Sequence, residues 1–138
     1  MEPLYTATAA STGEGRNGHV QSSDGILDFE VRTPKEMGGE GGATNPEQLF
    51  AAGYAACFHS ALRSVGKRAG ADMTDSEVVA DVSIGPNDQG GFQLAVELEV
   101  TLANVPREQA QELADKAHQV CPYSNATRGN IEVKITVT

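Results

Sequence analysis

The sequence predicts an α+β fold in the order β-β-β-α-β-β-α-β, with mostly antiparallel pairing. Three observations predict it. Short segments of alternating apolar and polar residues recur along the chain. Two longer segments open at a proline, Pro46 and Pro106, and carry helical spacing. An Asp24-Gly25 pair between two strand-like runs marks a hairpin. The 138 residues fit a single domain spanning 1–138.

Taken in order, Leu4–Ala10 alternates loosely and reads as the first strand. Thr12–Gly18 is glycine-rich and reads as a loop carrying Arg16. His19–Ser23 and Ile26–Arg32 flank the hairpin signal, and Thr33–Thr44, with its four glycines, reads as a loop. Asn45-Pro46-Glu47-Gln48 is a well-formed helix start: Asn45 caps, Pro46 suits the first helical position, and Gln48 completes a capping box. The helix runs to about Ala69. Its first part, Leu49–Phe58, is apolar on nearly all sides, which predicts a central, buried helix. Val78–Ile84 and Phe92–Leu102 read as strands joined by a turn, Gly85–Gly91. A second helix runs from Pro106 to Val120 and ends at Pro122. Ser124 then caps a short turn through Arg128, Gly129 stops it, and Ile131–Val137 is the last strand.

Composition excludes several function classes. The formal charge is −9 and the ten Lys and Arg residues are scattered, so neither nucleic acid nor an anionic membrane surface is an expected partner. No apolar run approaches the roughly 18 residues of a membrane span. Met1–Ala10 lacks a basic start followed by an apolar stretch, so a cytoplasmic location is expected.

Two cysteines, 64 positions apart, then carry the question of function. In a reducing compartment a structural disulfide is disfavoured, which leaves two inert core thiols or a redox pair. A peroxide-reducing cysteine attacks as the thiolate. An unassisted thiol, with a pKa near 8.5, is only about 3% thiolate at pH 7. Cys57 lies mid-helix, beyond the reach of the helix N-terminal dipole, so a cation must supply the activation. Arg16 is the candidate, since a guanidinium can hold a thiolate and a carboxylate at once; the alternative is a solvated loop arginine. Glu47 is the candidate carboxylate, although an acidic residue is favourable in a first helical turn regardless. Ten helical residues separate Glu47 from Cys57, about 15 Å along the axis. If Arg16 and Glu47 act on Cys57, they come from a second subunit. Cys121 ends the second helix, where partial negative charge disfavours a thiolate. It is therefore the poorer attacker and the candidate resolving cysteine, condensing with a Cys57 sulfenic acid.

Two long blocks resemble the organic hydroperoxide resistance (Ohr) branch of the OsmC/Ohr family. They are Asn45-Pro46-Glu47-Gln48-Leu49-Phe50-Ala51-Ala52-Gly53-Tyr54-Ala55-Ala56-Cys57-Phe58 and Cys121-Pro122-Tyr123-Ser124-Asn125-Ala126-Thr127-Arg128-Gly129-Asn130. Ser22–Gly25 and Thr33–Gly39 also match. The resemblance implies an OsmC-like fold with a long buried helix against antiparallel sheets, and an intertwined homodimer with shared active sites. It implies a peroxidatic Cys57, a resolving Cys121, and activation by Arg16 and Glu47. It implies alkyl or fatty-acid hydroperoxides as substrates, no bound cofactor, and a lipoylated protein as the external dithiol reductant. Ile26, Met37 and Phe50 are candidates to line an apolar substrate cleft, or are simply core.

Three other readings stand beside this one. An OsmC-type peroxidase would differ in peroxide preference. A non-enzymatic dimeric interaction domain would use the same fold. A metal site would draw on His118 and Cys121 on one helix face, with Cys57, but a fourth ligand is not evident and no metal is expected. His19, His59 and His118 are expected to face solvent or to hydrogen-bond.

Overall fold

A computed structural model describes all residues, Met1–Thr138, as two compact units, Met1–Leu49 and Phe50–Thr138. In the first unit three antiparallel strands, β1 (Ala9–Glu14), β2 (Asn17–Ser22) and β3 (Asp28–Val31), form a sheet in sequential order. β1 lies later than the alternation of Leu4–Ala10 suggests. The glycine-rich stretch is itself strand, because Glu14 pairs with Asn17 across a two-residue connection, Gly15-Arg16. Gly15 takes the positive φ of 68° that such a tight connection needs at its first central position. Arg16 is thus fixed at a hairpin tip rather than carried on a loose loop.

The Asp24-Gly25 turn is also wider than a two-residue hairpin. The Ser22 amide donates to the Leu27 carbonyl (2.8 Å), and the Asp24 carboxylate accepts from the Ser22 hydroxyl (2.6 Å) and the Ile26 amide (3.0 Å). A single 3-10 turn occupies Lys35–Met37, and a parallel bridge joins Val31 to Thr44.

Helix α1 runs unbroken over Pro46–Arg68. Asn45 caps it, its side-chain oxygen accepting from the Gln48 amide at 2.8 Å. The reciprocal half of the expected capping box is absent, because the Gln48 carbonyl instead accepts from the Thr44 hydroxyl (2.9 Å).

The second unit contains the core. β4 (Glu77–Pro86) pairs antiparallel with β5 (Phe92–Thr101), and β6 (Val133–Val137) pairs with β5 in parallel, so this sheet is mixed. The parallel pairing follows from the long return through α2 (Arg107–Val120) and α3 (Pro122–Thr127). Val96, Leu98, Val100 and Val137 on one sheet face pack with Ala110, Leu113, Ala114 and Ala117 of α2. Tyr54, Phe58, Leu62 and Gly66 of α1 complete the core, four residues apart on one stripe. Each large apolar side chain buried this way contributes about 1.5–3 kcal/mol. The helix is therefore buried along one stripe in the single chain, not on all sides as its composition suggests; Ala52, Ala56 and Ser60 are exposed.

Candidate active site

In the second unit α1 and the α2–α3 corner bring the two cysteines together. Cys57 and Cys121 are both free thiols, with sulfurs 3.6 Å apart and the Cys121 thiol donating to Cys57. Cys121 is fully buried and Cys57 partly so. Cys121 occupies a corner: it ends α2, its amide donating to the Ala117 carbonyl, and Pro122 then starts α3 as its first residue. A short helix therefore follows the proline where a capped turn is predicted, and Ser124 lies inside it rather than capping it.

Burial is the largest influence on the Cys57 thiol and pushes its pKa up; the neighbouring Cys121 acts in the same direction. The backbone N–H of Tyr123 opposes both by favouring the thiolate. On balance the single chain raises the Cys57 pKa, which disfavours its thiolate.

In the same unit lie aromatic residues of which sequence reasoning singled out only Phe50. Phe50, Tyr54 and Tyr123 form a three-ring cluster, with centroids 5.6–6.2 Å apart. Phe50, expected in a substrate cleft, belongs to this cluster. Gly53 makes room for it: a Cβ there would lie 2.5 Å from the Tyr123 hydroxyl. Beneath the rings, the buried Tyr54 hydroxyl meets the Ser124 hydroxyl (2.8 Å) and the Thr127 hydroxyl (3.1 Å). Ser124 in turn meets His118 Nδ1 at 2.8 Å, and the Thr127 hydroxyl donates to the Ser124 carbonyl (3.2 Å).

One proton ordering satisfies all four contacts: His118 Nδ1–H donates to Ser124, Ser124 to Tyr54, Tyr54 to Thr127, and Thr127 to the carbonyl. This network ties α3, and with it the Cys121 corner, to α1. The signal for it was Tyr54 within an apolar helix, since a buried phenol needs a partner. Burial, followed by the charge of Arg128, lowers the His118 pKa. His59 meets the Ser76 hydroxyl at 2.9 Å. No cluster of three or more His, Cys, Asp or Glu side chains is arranged to hold a metal ion.

The first unit brings Arg16 and Glu47 together. The guanidinium donates twice to the carboxylate, Nη1 to Oε2 at 3.0 Å and Nη2 to Oε1 at 2.6 Å. Side-chain exposure is 35% for Arg16 and 12% for Glu47. Hydrogen bonding to Arg16 holds the Glu47 carboxyl below its ordinary range, and Glu47 raises Arg16 in return. The carboxylate holds the guanidinium in place while leaving some of its five N–H donors for another acceptor. Ile26 and Met37 are exposed.

The OsmC-like protein family model matches residues 39–136. The chain belongs to the OsmC/Ohr family. It is 52% identical over 136 residues to the organic hydroperoxide resistance protein of Xanthomonas axonopodis pv. citri, covering 97% of this chain and 94% of that one. It is 50% identical to the Bacillus subtilis organic hydroperoxide resistance protein OhrB, covering 96% of each. Among solved structures, an organic hydroperoxide resistance protein from Elizabethkingia anophelis superposes with a TM-score of 0.95 at 57% identity, covering 100% of this chain and 99% of that one. The mixed α+β fold is that of the Ohr proteins.

Proposed function

We propose that the chain is a thiol-dependent peroxidase that reduces organic hydroperoxides to alcohols. The observation that carries this reading is the pair of reduced thiols 3.6 Å apart, one partly exposed and one buried. The names of the relatives support the substrate class.

In the proposed cycle the Cys57 thiolate attacks the terminal peroxide oxygen. An S–O bond forms, the O–O bond breaks, and the departing alkoxide takes a proton to leave as alcohol. Cys57 becomes a sulfenic acid. The Cys121 sulfur attacks it, an S–S bond forms, and the hydroxyl leaves as water. An external dithiol, such as a lipoyl group on a protein, reduces the disulfide by exchange and is itself oxidised. A reducing, cytoplasmic setting suits this recycling.

Activation is assigned to the Arg16–Glu47 pair of a second copy in a homodimer. Two observations support this. Burial and the neighbouring Cys121 raise the Cys57 pKa, and a nearby cation would offset both. Glu47 and Cys57 are ten residues apart on one unbroken helix, about 15 Å along its axis.

The test is stopped-flow oxidation of the reduced protein by cumene hydroperoxide, alkyl hydroperoxides and hydrogen peroxide. Rapid loss of one thiol, then of the second, is expected, and Cys57→Ser abolishes it. Absence of fast thiol loss in the native chain would sink the peroxidase reading. Equal or faster reaction with hydrogen peroxide would favour an OsmC-type preference instead.

A further inference from the structure

Cys121 is the single residue between two helices, with extended backbone (φ −65°, ψ 123°) where α2 stops and Pro122 starts α3. Its sulfur is therefore placed by the angle at which the two helices meet. The hydrogen bonds that join α2 to Pro122–Arg128 both end on His118. Its ring Nδ1 meets the Ser124 hydroxyl (2.8 Å), and its carbonyl accepts from the Arg128 guanidinium (2.9 Å). One side chain and its own backbone thus grip α3 within its length and just past its end.

The ring contact has a direction. The Thr127 hydroxyl donates its one proton to the Ser124 carbonyl (3.2 Å), so it accepts from Tyr54. Tyr54 then accepts from Ser124, and Ser124 from His118. Nδ1 must carry a proton. Burial and Arg128 disfavour the charged ring and Asp115 favours it, but the neutral Nδ1–H ring and the imidazolium both supply this donor. Tyr54, Ser124 and Thr127 are buried, so bulk water does not replace a lost link. His118 stands one helical turn before Cys121, and Tyr54 one turn before Cys57. The chain of hydroxyls therefore joins the neighbours of the two thiols.

We propose that His118 is a positioning residue for disulfide closure: its Nδ1–H, acting through Ser124 and Tyr54, holds the Cys121 sulfur against Cys57. This inference rests on the peroxidase reading. It goes beyond it by naming what decides the fate of the Cys57 sulfenic acid. That intermediate has two exits. Attack by Cys121 gives the disulfide and water. Reaction with a second hydroperoxide adds another oxygen to the Cys57 sulfur, breaks another O–O bond and releases a second alcohol. The product is a sulfinic acid, which dithiol exchange does not restore. His118 tips this partition toward the disulfide by geometry, not by proton transfer.

The experiment treats the reduced, full-length protein with cumene hydroperoxide, alone and with dimedone to trap sulfenic acid, and counts disulfide, trapped and sulfinic products by mass spectrometry. His118→Leu should slow closure about tenfold, the scale of one lost hydrogen bond, and lower by a similar factor the peroxide concentration that converts half of Cys57 to sulfinic acid. The rate of initial thiol loss should be unchanged. His118→Asn, which puts an amide N–H close to the place of Nδ1, should restore closure. Ser124→Ala, which keeps the ring and removes its acceptor, should match His118→Leu. Because both ring forms donate, the ratio of native to His118→Leu closure rates should be flat between about pH 5 and 8, where a histidine titrates. An unchanged partition in both His118→Leu and Ser124→Ala, an equal fall in thiol loss and closure, closure as slow in His118→Asn as in His118→Leu, or a ratio that follows a histidine titration would overturn the proposal. If the native protein consumes no hydroperoxide, the peroxidase reading falls, and this inference with it.

Discussion

Phe50–Thr138 buries fourteen side chains in one apolar cluster, whereas in Met1–Leu49 Val31 is the only buried apolar side chain. The first unit is held by its strand ladder and by polar pairs: Arg16 with Glu47, His19 with Asp28 and Glu30, and Arg32 with Glu30. Its apolar residues face outward, with Ile26 at 82% and Tyr5 at 80% exposure. A three-stranded sheet needs a covered face to be stable. The unit that holds the two cysteines closes a core of its own, while the unit that holds Arg16 leaves most of its large apolar side chains uncovered.

The largest effect that would test this contrast is on chemistry. Arg16→Ala should slow the peroxide step at least about thirtyfold at pH 7, the change from a mostly ionised thiol to an unassisted one. Thiolate absorbance against pH should show the Cys57 pKa rising in this variant. An unmoved titration would place the activating cation elsewhere.

Next comes the core. Leu62→Ala should cost about 2–5 kcal/mol of stability, read by denaturant unfolding. By contrast Phe29→Asp, on the exposed sheet, should leave the melting of the Phe50–Thr138 core nearly intact and shift the proposed dimer toward monomer in sedimentation. Monomeric native protein would break the comparison at its root. Tyr54→Phe leaves Ser124 and Thr127 short of a partner and should cost about 1–3 kcal/mol. It should also slow disulfide formation more than the initial attack.

The smallest effect is pH dependence in the hairpin. Glu30, then Asp28, raises the His19 pKa. The protonated imidazole is the form these carboxylates favour. Its contribution is therefore full below the ordinary histidine pKa of about 6.5 and is lost as pH rises through the higher folded value. Histidine proton resonances should report a midpoint above the ordinary one, and a midpoint at or below it would remove the ion-pair account.

Much of the second unit was legible in the sequence because it follows one periodic rule. Val78–Ile84 and Phe92–Leu102 alternate, and α1 starts at a capped proline, as observed to within a few residues. The first unit was less legible. The pairing of Glu14 with Asn17 makes strand out of a glycine-rich stretch, a tertiary effect that local composition does not carry. The apolar girth of α1 overstated its burial, because small residues such as Ala52 and Ala56 raise apolar content without lying on the buried stripe. Within the candidate site, Cys57, Cys121, Arg16 and Glu47 are the residues the sequence singles out, and the structure brings them together as two pairs. The Tyr54–Ser124–His118 network was not legible, because contacts across 70 positions leave no local pattern.

The difference in exposure between the two sulfurs sets a direction for thiol exchange. Closing the disulfide moves the sulfurs only about 1.5 Å nearer, from 3.6 Å to bonding distance. Oxidation therefore leaves little change of shape for a reductant to recognise. What it can recognise is reach: Cys57 is partly exposed and Cys121 is buried. In the proposed cycle an incoming dithiol would strike Cys57 and expel Cys121 as the leaving group. The mixed disulfide would then form on the same sulfur that meets the peroxide.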